Sequence, residues 1–115
     1  MGDSTQLTDL PVDAFLERLG SSDPVPGGGS ASALVAAMGA ALVAMVAELT
    51  IGRPEYAEHE ATVRKLRFDA LDRRAELMSL AQQDADAYTR SSKRAACQRV
   101  RSQNVRLAGM RWERR

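Results

Sequence analysis

Cysteine is nearly absent. Cys97 is the single one among 115 residues, which excludes an internal disulfide framework and any zinc site built from a cysteine cluster. A reducing, cytoplasmic setting is the expectation. Aromatic residues make up only 4%, so a core must be assembled from Ala, Leu, Val and Met. No charge sign dominates: 16 Lys and Arg against 15 Asp and Glu leave a net +1. That balance excludes a uniformly basic nucleic-acid binder and an acidic-tail protein. The opening Met-Gly-Asp-Ser-Thr-Gln has neither a basic nor an apolar leader region, so no secretory signal is expected. A bilayer span needs ~20 strongly apolar residues. The longest uncharged run, Pro24 to Ala47, opens with proline, glycine and serine and continues mainly as alanine. It reads as a buried soluble helix rather than a membrane span. No sustained period-two alternation occurs, so strands are not expected.

Charge is unevenly distributed. Met1 to Glu60 carry a net −7, and Ala61 to Arg115 a net +8. Between Arg90 and Arg115 the bases are opposed by Glu113 alone. Apolar periodicity fades after Thr89, and a basic tail follows, in which helix is still possible because arginine and glutamine are good formers, but without a well-defined inward face.

Val12, Phe15, Leu16 and Leu19 keep the i, i+3, i+4, i+7 spacing of one helix face. Pro11 suits its first turn and Gly20 its end. Ser21 to Ser30 is a proline- and glycine-rich loop. Ser30 is the expected N-cap of a helix over Ala31–Thr50. Apolar residues cover every side of that helix, so it should be surrounded by protein, in part from a second subunit. Its alanines allow close approach, with Gly39 at the tightest crossing. Thr50-Ile-Gly-Arg-Pro breaks the chain. A long helix is then expected from about Glu55 to Tyr88, with an apolar stripe of Tyr56, Val63, Leu66, Ala70, Leu77, Leu80, Ala81 and Tyr88.

Gly27-Gly28-Gly29-Ser30 feeds a helix N-terminus, where free N–H groups and the dipole favour an anion. No Gly-Lys-Ser/Thr ending makes it a P-loop. On composition alone the segment reads equally as a flexible linker. Asp23 before Pro24 reads in isolation as a turn former. Asp84 falls near the line of Leu77, Leu80 and Tyr88. Either it is a carboxylate on the inward stripe, suited to proton transfer, or the stripe ends a turn earlier and leaves it exposed. Asp86 lies on the solvated side. His59 between Glu58 and Glu60 lacks companion ligands and reads as a surface residue, so no metal is expected. Cys97 sits among bases that would activate a thiol, with nothing else to support such a role.

Several runs together resemble the cyclodeaminase/cyclohydrolase family: Phe15-Leu16 with Leu19, Ser22-Asp-Pro-Val-Pro-Gly-Gly-Gly-Ser-Ala31, Ala41-Leu-Val-Ala-Met-Val-Ala-Glu-Leu-Thr-Ile-Gly52, Tyr56 and Asp84-Ala-Asp-Ala-Tyr88. The likeness covers about Asp9 to Thr89. It implies an all-α, antiparallel long-helix bundle, truncated relative to the family, forming a helix-packed homodimer. A cyclodeaminase/cyclohydrolase-like domain over 9–89 would precede a basic tail over 90–115 that is unlike the family. The implied chemistry is cyclodeamination of 5-formiminotetrahydrofolate or hydrolysis of 5,10-methenyltetrahydrofolate, with a tetrahydrofolate derivative as substrate and no metal. Asp84 would be the catalytic acid or base, with Asp23 assisting. Pro26, Gly27, Gly28, Gly29 and Ser30 would hold the folate. The composition of 91–115 is also that of an out-of-frame reading of a GC-rich gene, which the other frames of the downstream DNA would test. Two further functions compete: a non-catalytic helical dimerisation module, and an anion or nucleic-acid binder acting through the basic tail, the last in rank because no aromatic reading surface accompanies it.

Overall fold

The structure, a computed structural model, describes residues 6–112. Met1–Thr5 and Glu113–Arg115, which carry part of the leader and tail expectations, lie outside the described residues, as do the side chains of Met110, Arg111 and Trp112. Three α-helices occur in order: α1 (Val12–Leu19), α2 (Gly28–Thr50) and α3 (Glu60–Trp112). Short 3-10 turns at Leu7–Asp9 and Pro54–His59 precede α1 and α3. No strand occurs among the described residues. The all-α expectation holds. The chain divides into two compact units, Met1–Ala85 and Asp86–Arg115.

In the first unit α2 and α3 pack antiparallel. Ser30, at the start of α2, bonds to Ala81 of α3. Glu48, near the end of α2, pairs with Arg67, early in α3. Small residues line the contact. Ser30, Ala37, Ala44 and Ala47 are buried on α2, and Ala70, Ala81 and Ala85 on α3. Methyl-sized side chains let the backbones approach closely, and close packing replaces large-side-chain burial as the source of cohesion. Leu7 is buried, and its N–H donates to Gln82 Oε1 of α3 at 2.6 Å. That bond ties the N-terminal turn to the pair. α1 begins after Pro11 and ends at Gly20, as expected.

Several expectations need correction. α2 starts at Gly28, with Gly27 as N-cap, rather than at Ala31 with Ser30 as cap. Ser30 spends its hydroxyl on α3 instead of on its own first turn. Gly39 is exposed, with nothing within 4 Å of a Cβ built there, so it marks no crossing of helices within this chain. α3 begins at Glu60 and runs through the basic segment to Trp112. Arginine and glutamine are good helix formers, and a fading inward face did not end the helix. Along α3, Val63, Arg67, Ala70, Leu71, Leu77, Ala81 and Ala85 are buried or half-buried. Tyr56, Leu66, Leu80 and Tyr88 of the expected stripe are about half exposed. The contact follows the nearly 3.5-residue repeat of two helices in register, so residues placed by a wider apolar arc fall off its edge.

α2 is not enclosed by this chain. Val35, Met38, Leu42, Val43, Met45, Val46 and Leu49 are exposed, and among them Val35, Met38, Leu42, Met45 and Leu49 alternate in steps of three and four residues. That is the spacing of a second helix-packing seam. By length and composition α2 could also cross a membrane: its apolar window has a mean hydropathy of 2.0 and is 22% buried, and the core helix of a soluble protein passes the same test. At its end Gly52 takes φ +84°, a left-handed conformation that glycine accepts without a Cβ clash, and the chain turns toward α3.

In the second unit, α3 from Asp86 onward exposes almost every described side chain, with Ala95 half-buried. Cys97 is free and exposed.

Candidate functional site

The loop before α2 is anchored at both ends. Pro26 is buried, following a cis Val25–Pro26 peptide bond, and Ser30 has no exposed surface. The segment is therefore not a free linker. Asp23 organises the approach. Its Oδ1 accepts the Val25 N–H at 3.1 Å, and its Oδ2 lies 3.3 Å from Arg18 Nε. Its own N–H donates to Ser21 Oγ at 3.1 Å. The Val25 bond, with Arg18 beside it, holds the Asp23 carboxyl below the ordinary aspartate value despite some desolvation. Asp23 is thus an ionised acceptor with both oxygens engaged, in the turn-forming role its place before proline suggests.

Asp84 lies at the other side of the site. Residue 84 is exposed, so its carboxylate is not the buried inward group that one reading of the stripe expected. It is nevertheless directed onto the start of α2. Ser30 Oγ is 3.3 Å from Asp84 Oδ2, across 54 residues of sequence. The same hydroxyl donates to the Ala81 carbonyl at 2.8 Å. A Cβ at Gly29 would lie 2.6 Å from Asp84 Oδ2 and 2.8 Å from Cγ and Oδ1. Only glycine lets the carboxyl group rest there. The first turn of a helix has N–H groups without intrahelical partners and a positive dipole end. The chain's own carboxylate sits at that end, which disfavours a second anion and suits a ligand group that donates hydrogen bonds.

The structure brings some of the predicted site residues together and leaves others apart. Gly29, Ser30 and Asp84 come together. Gly28 is exposed and Gly27 half-buried beside them. Pro26 and Ser30 are buried and support the loop from beneath. Asp23 is committed to its turn and to Arg18. Asp86 is exposed, and His59 is an exposed residue at the end of a 3-10 turn.

Sequence reasoning missed an apolar cavity of about 230 Å³. It is lined by residues of the first turn, α1, α2 and α3, among them Leu7, Phe15, Leu34, Met38 and Met78. Asp84 and the glycines are not in its wall. The amphipathic spacing of α1 was its only sequence signal, and that spacing reads as ordinary packing.

Residues 11–106 match a family model described as Formiminotransferase-cyclodeaminase. A methenyltetrahydrofolate cyclohydrolase of Methylorubrum extorquens is 43% identical over 77 residues, covering 67% of this chain and 37% of that protein. A formimidoyltransferase-cyclodeaminase of Rattus norvegicus is 39% identical over 87 residues, covering 76% of this chain and 16% of that protein. One from Dictyostelium discoideum is 48% identical over 60 residues, covering 52% and 11%. The chain therefore spans about a third or less of the length of these relatives.

Proposed function

Because the chain belongs to the formiminotransferase-cyclodeaminase family, we propose that it handles a tetrahydrofolate derivative carrying a one-carbon unit between N5 and N10. The reaction is either cyclodeamination of 5-formiminotetrahydrofolate, with loss of ammonia, or hydrolysis of 5,10-methenyltetrahydrofolate by water. The relatives' names support both. Each reaction moves a proton at a nitrogen or at water, and a positioned carboxylate can carry it. Asp84 is that group. Gly28 and Gly29 offer backbone to the ligand, Pro26, Gly27 and Ser30 hold the loop's shape, and Asp23 braces its entry. The observation that carries this reading is the convergence of Asp84 on Gly29 and Ser30. Opening of methenyltetrahydrofolate, followed by absorbance, tests it. Turnover that is lost in Asp84→Ala supports it, and a rate equal to that without protein removes the activity.

A second reading, a helical dimerisation module, is favoured by the exposed seam Val35, Met38, Leu42, Met45 and Leu49. We take that seam as the interface of a homodimer rather than a lipid-facing surface. Support comes from its three-four spacing, which is that of helix packing. Dimerisation is compatible with catalysis. A dimer in sizing experiments without folate-dependent thermal stabilisation would leave the module reading alone. The cytoplasm is the proposed location.

A further inference from the structure

We propose that Ser30 is a positioning residue for Asp84, holding its carboxyl group at the start of α2 both when that group is ionised and when it is protonated. The proposal rests on the catalytic reading only for its kinetic consequence. Ser30 has no exposed surface, so a bound molecule cannot touch it, and its influence must pass through its neighbours. Those neighbours are the Ala81 carbonyl at 2.8 Å and Asp84 Oδ2 at 3.3 Å. A serine hydroxyl has one proton and two acceptor lone pairs. With Asp84 ionised, both neighbours are acceptors and the hydroxyl proton serves them. With Asp84 protonated, the carboxyl O–H donates to Ser30 Oγ, and the serine proton turns wholly to Ala81. One proton is gained by the carboxyl group, and the serine proton only reorients. The Ala81 carbonyl keeps its bond from the residue four positions on in α3 in either case. A group that must release and recover a proton thus keeps its partner throughout.

Gly29, next to Ser30, leaves the space that the carboxyl group occupies. A methyl there would enter the space of all three carboxyl atoms. The part of α2 that meets Asp84, Gly28 to Leu34, has no ionisable side chain, and Ser30 rather than the exposed Ser32 is the hydroxyl within reach of the carboxyl group.

The test uses the full chain labelled with ¹³C and ¹⁵N. The three-bond coupling between the Asp84 backbone nitrogen and Cγ reports its rotamer. The expected result is one rotamer in the wild type at neutral pH and after acidification, and averaging in Ser30→Ala. Gly29→Ala, at an exposed position where the carboxyl end of Asp84 is what a methyl would displace, should move Asp84 to another rotamer even if Ser30→Ala fails to fold, with circular dichroism confirming that helix content is kept. Averaging in the wild type, or a rotamer unchanged by either substitution, overturns the proposal. In the methenyltetrahydrofolate assay Ser30→Ala should lower kcat by about tenfold while KM stays within about twofold. An altered rotamer with unchanged kcat overturns the positioning role. A wild type that fails to turn over defeats the catalytic reading and leaves the rotamer measurements to decide this one.

Discussion

Asp23 meets the N–H of Val25 and the guanidinium of Arg18, and both favour its ionised form. Its carboxyl therefore protonates below the ordinary 3.8. A depressed folded value means that its stabilising contribution is complete above the unfolded value and disappears as pH falls through the folded one. The Val25 amide shift, followed through an acid titration, should have its midpoint below 3.8. A midpoint above it would mean that desolvation outweighs the bonds. Ala81, with no exposed surface at the α2–α3 contact, gives a second expectation. Ala81→Leu should cost ~1–3 kcal/mol of stability by forcing the backbones apart, measured as a lower denaturation midpoint. Ala81→Gly loses only a methyl's contacts and about 1 kcal/mol of helix propensity. Which residues would meet was partly readable. Asp84 could be placed near the line of Leu77 from spacing alone, but its exposure could not, because that depends on where α2 begins.

At the scale of the elements, α1 was legible because Pro11 and Gly20 punctuate it. The start of α2 was not. Glycines weigh against a helix, and the compensating bond from Ser30 to Ala81 lies 51 residues away. Likewise, the stripe of α3 was drawn too wide because a single sequence does not show how narrow an alanine-lined contact is. The exposed seam of α2 predicts that Leu42→Glu with Met45→Glu abolishes self-association and preserves helix content. Light scattering and circular dichroism check this, and a wild-type monomer would contradict the proposed dimer. The second part of α3, from Asp86, exposes nearly all its described side chains and is rich in arginine. Brief trypsin treatment should cut there before it cuts within Glu60–Ala85, with mass spectrometry locating the first products.

For the whole molecule, the charge difference between residues 1–60 and 61–115 allows association by attraction alone. Ionic strength separates that from the apolar seam. At 1 M salt the screening length falls to about 3 Å, and a dimer held by Val35, Met38, Leu42, Met45 and Leu49 should persist. One held by opposite charges should dissociate in the same sedimentation experiment. The family resemblance was legible at this scale because its motifs are short and contiguous. The second seam on α2 was hidden, since a helix apolar on all sides gives no sign of which side its own chain will cover.

Ser30, Ala37 and Ala44 form one line along α2, and Val35, Leu42 and Leu49 form another, offset by five residues. Five residues correspond to a rotation of about 140°, so the two lines look toward nearly opposite flanks. A rod with such a divided allegiance does not close a tube. In the proposed dimer it would add companions edge to edge, as planks make a raft, with α3 on one flank and the second copy on the other.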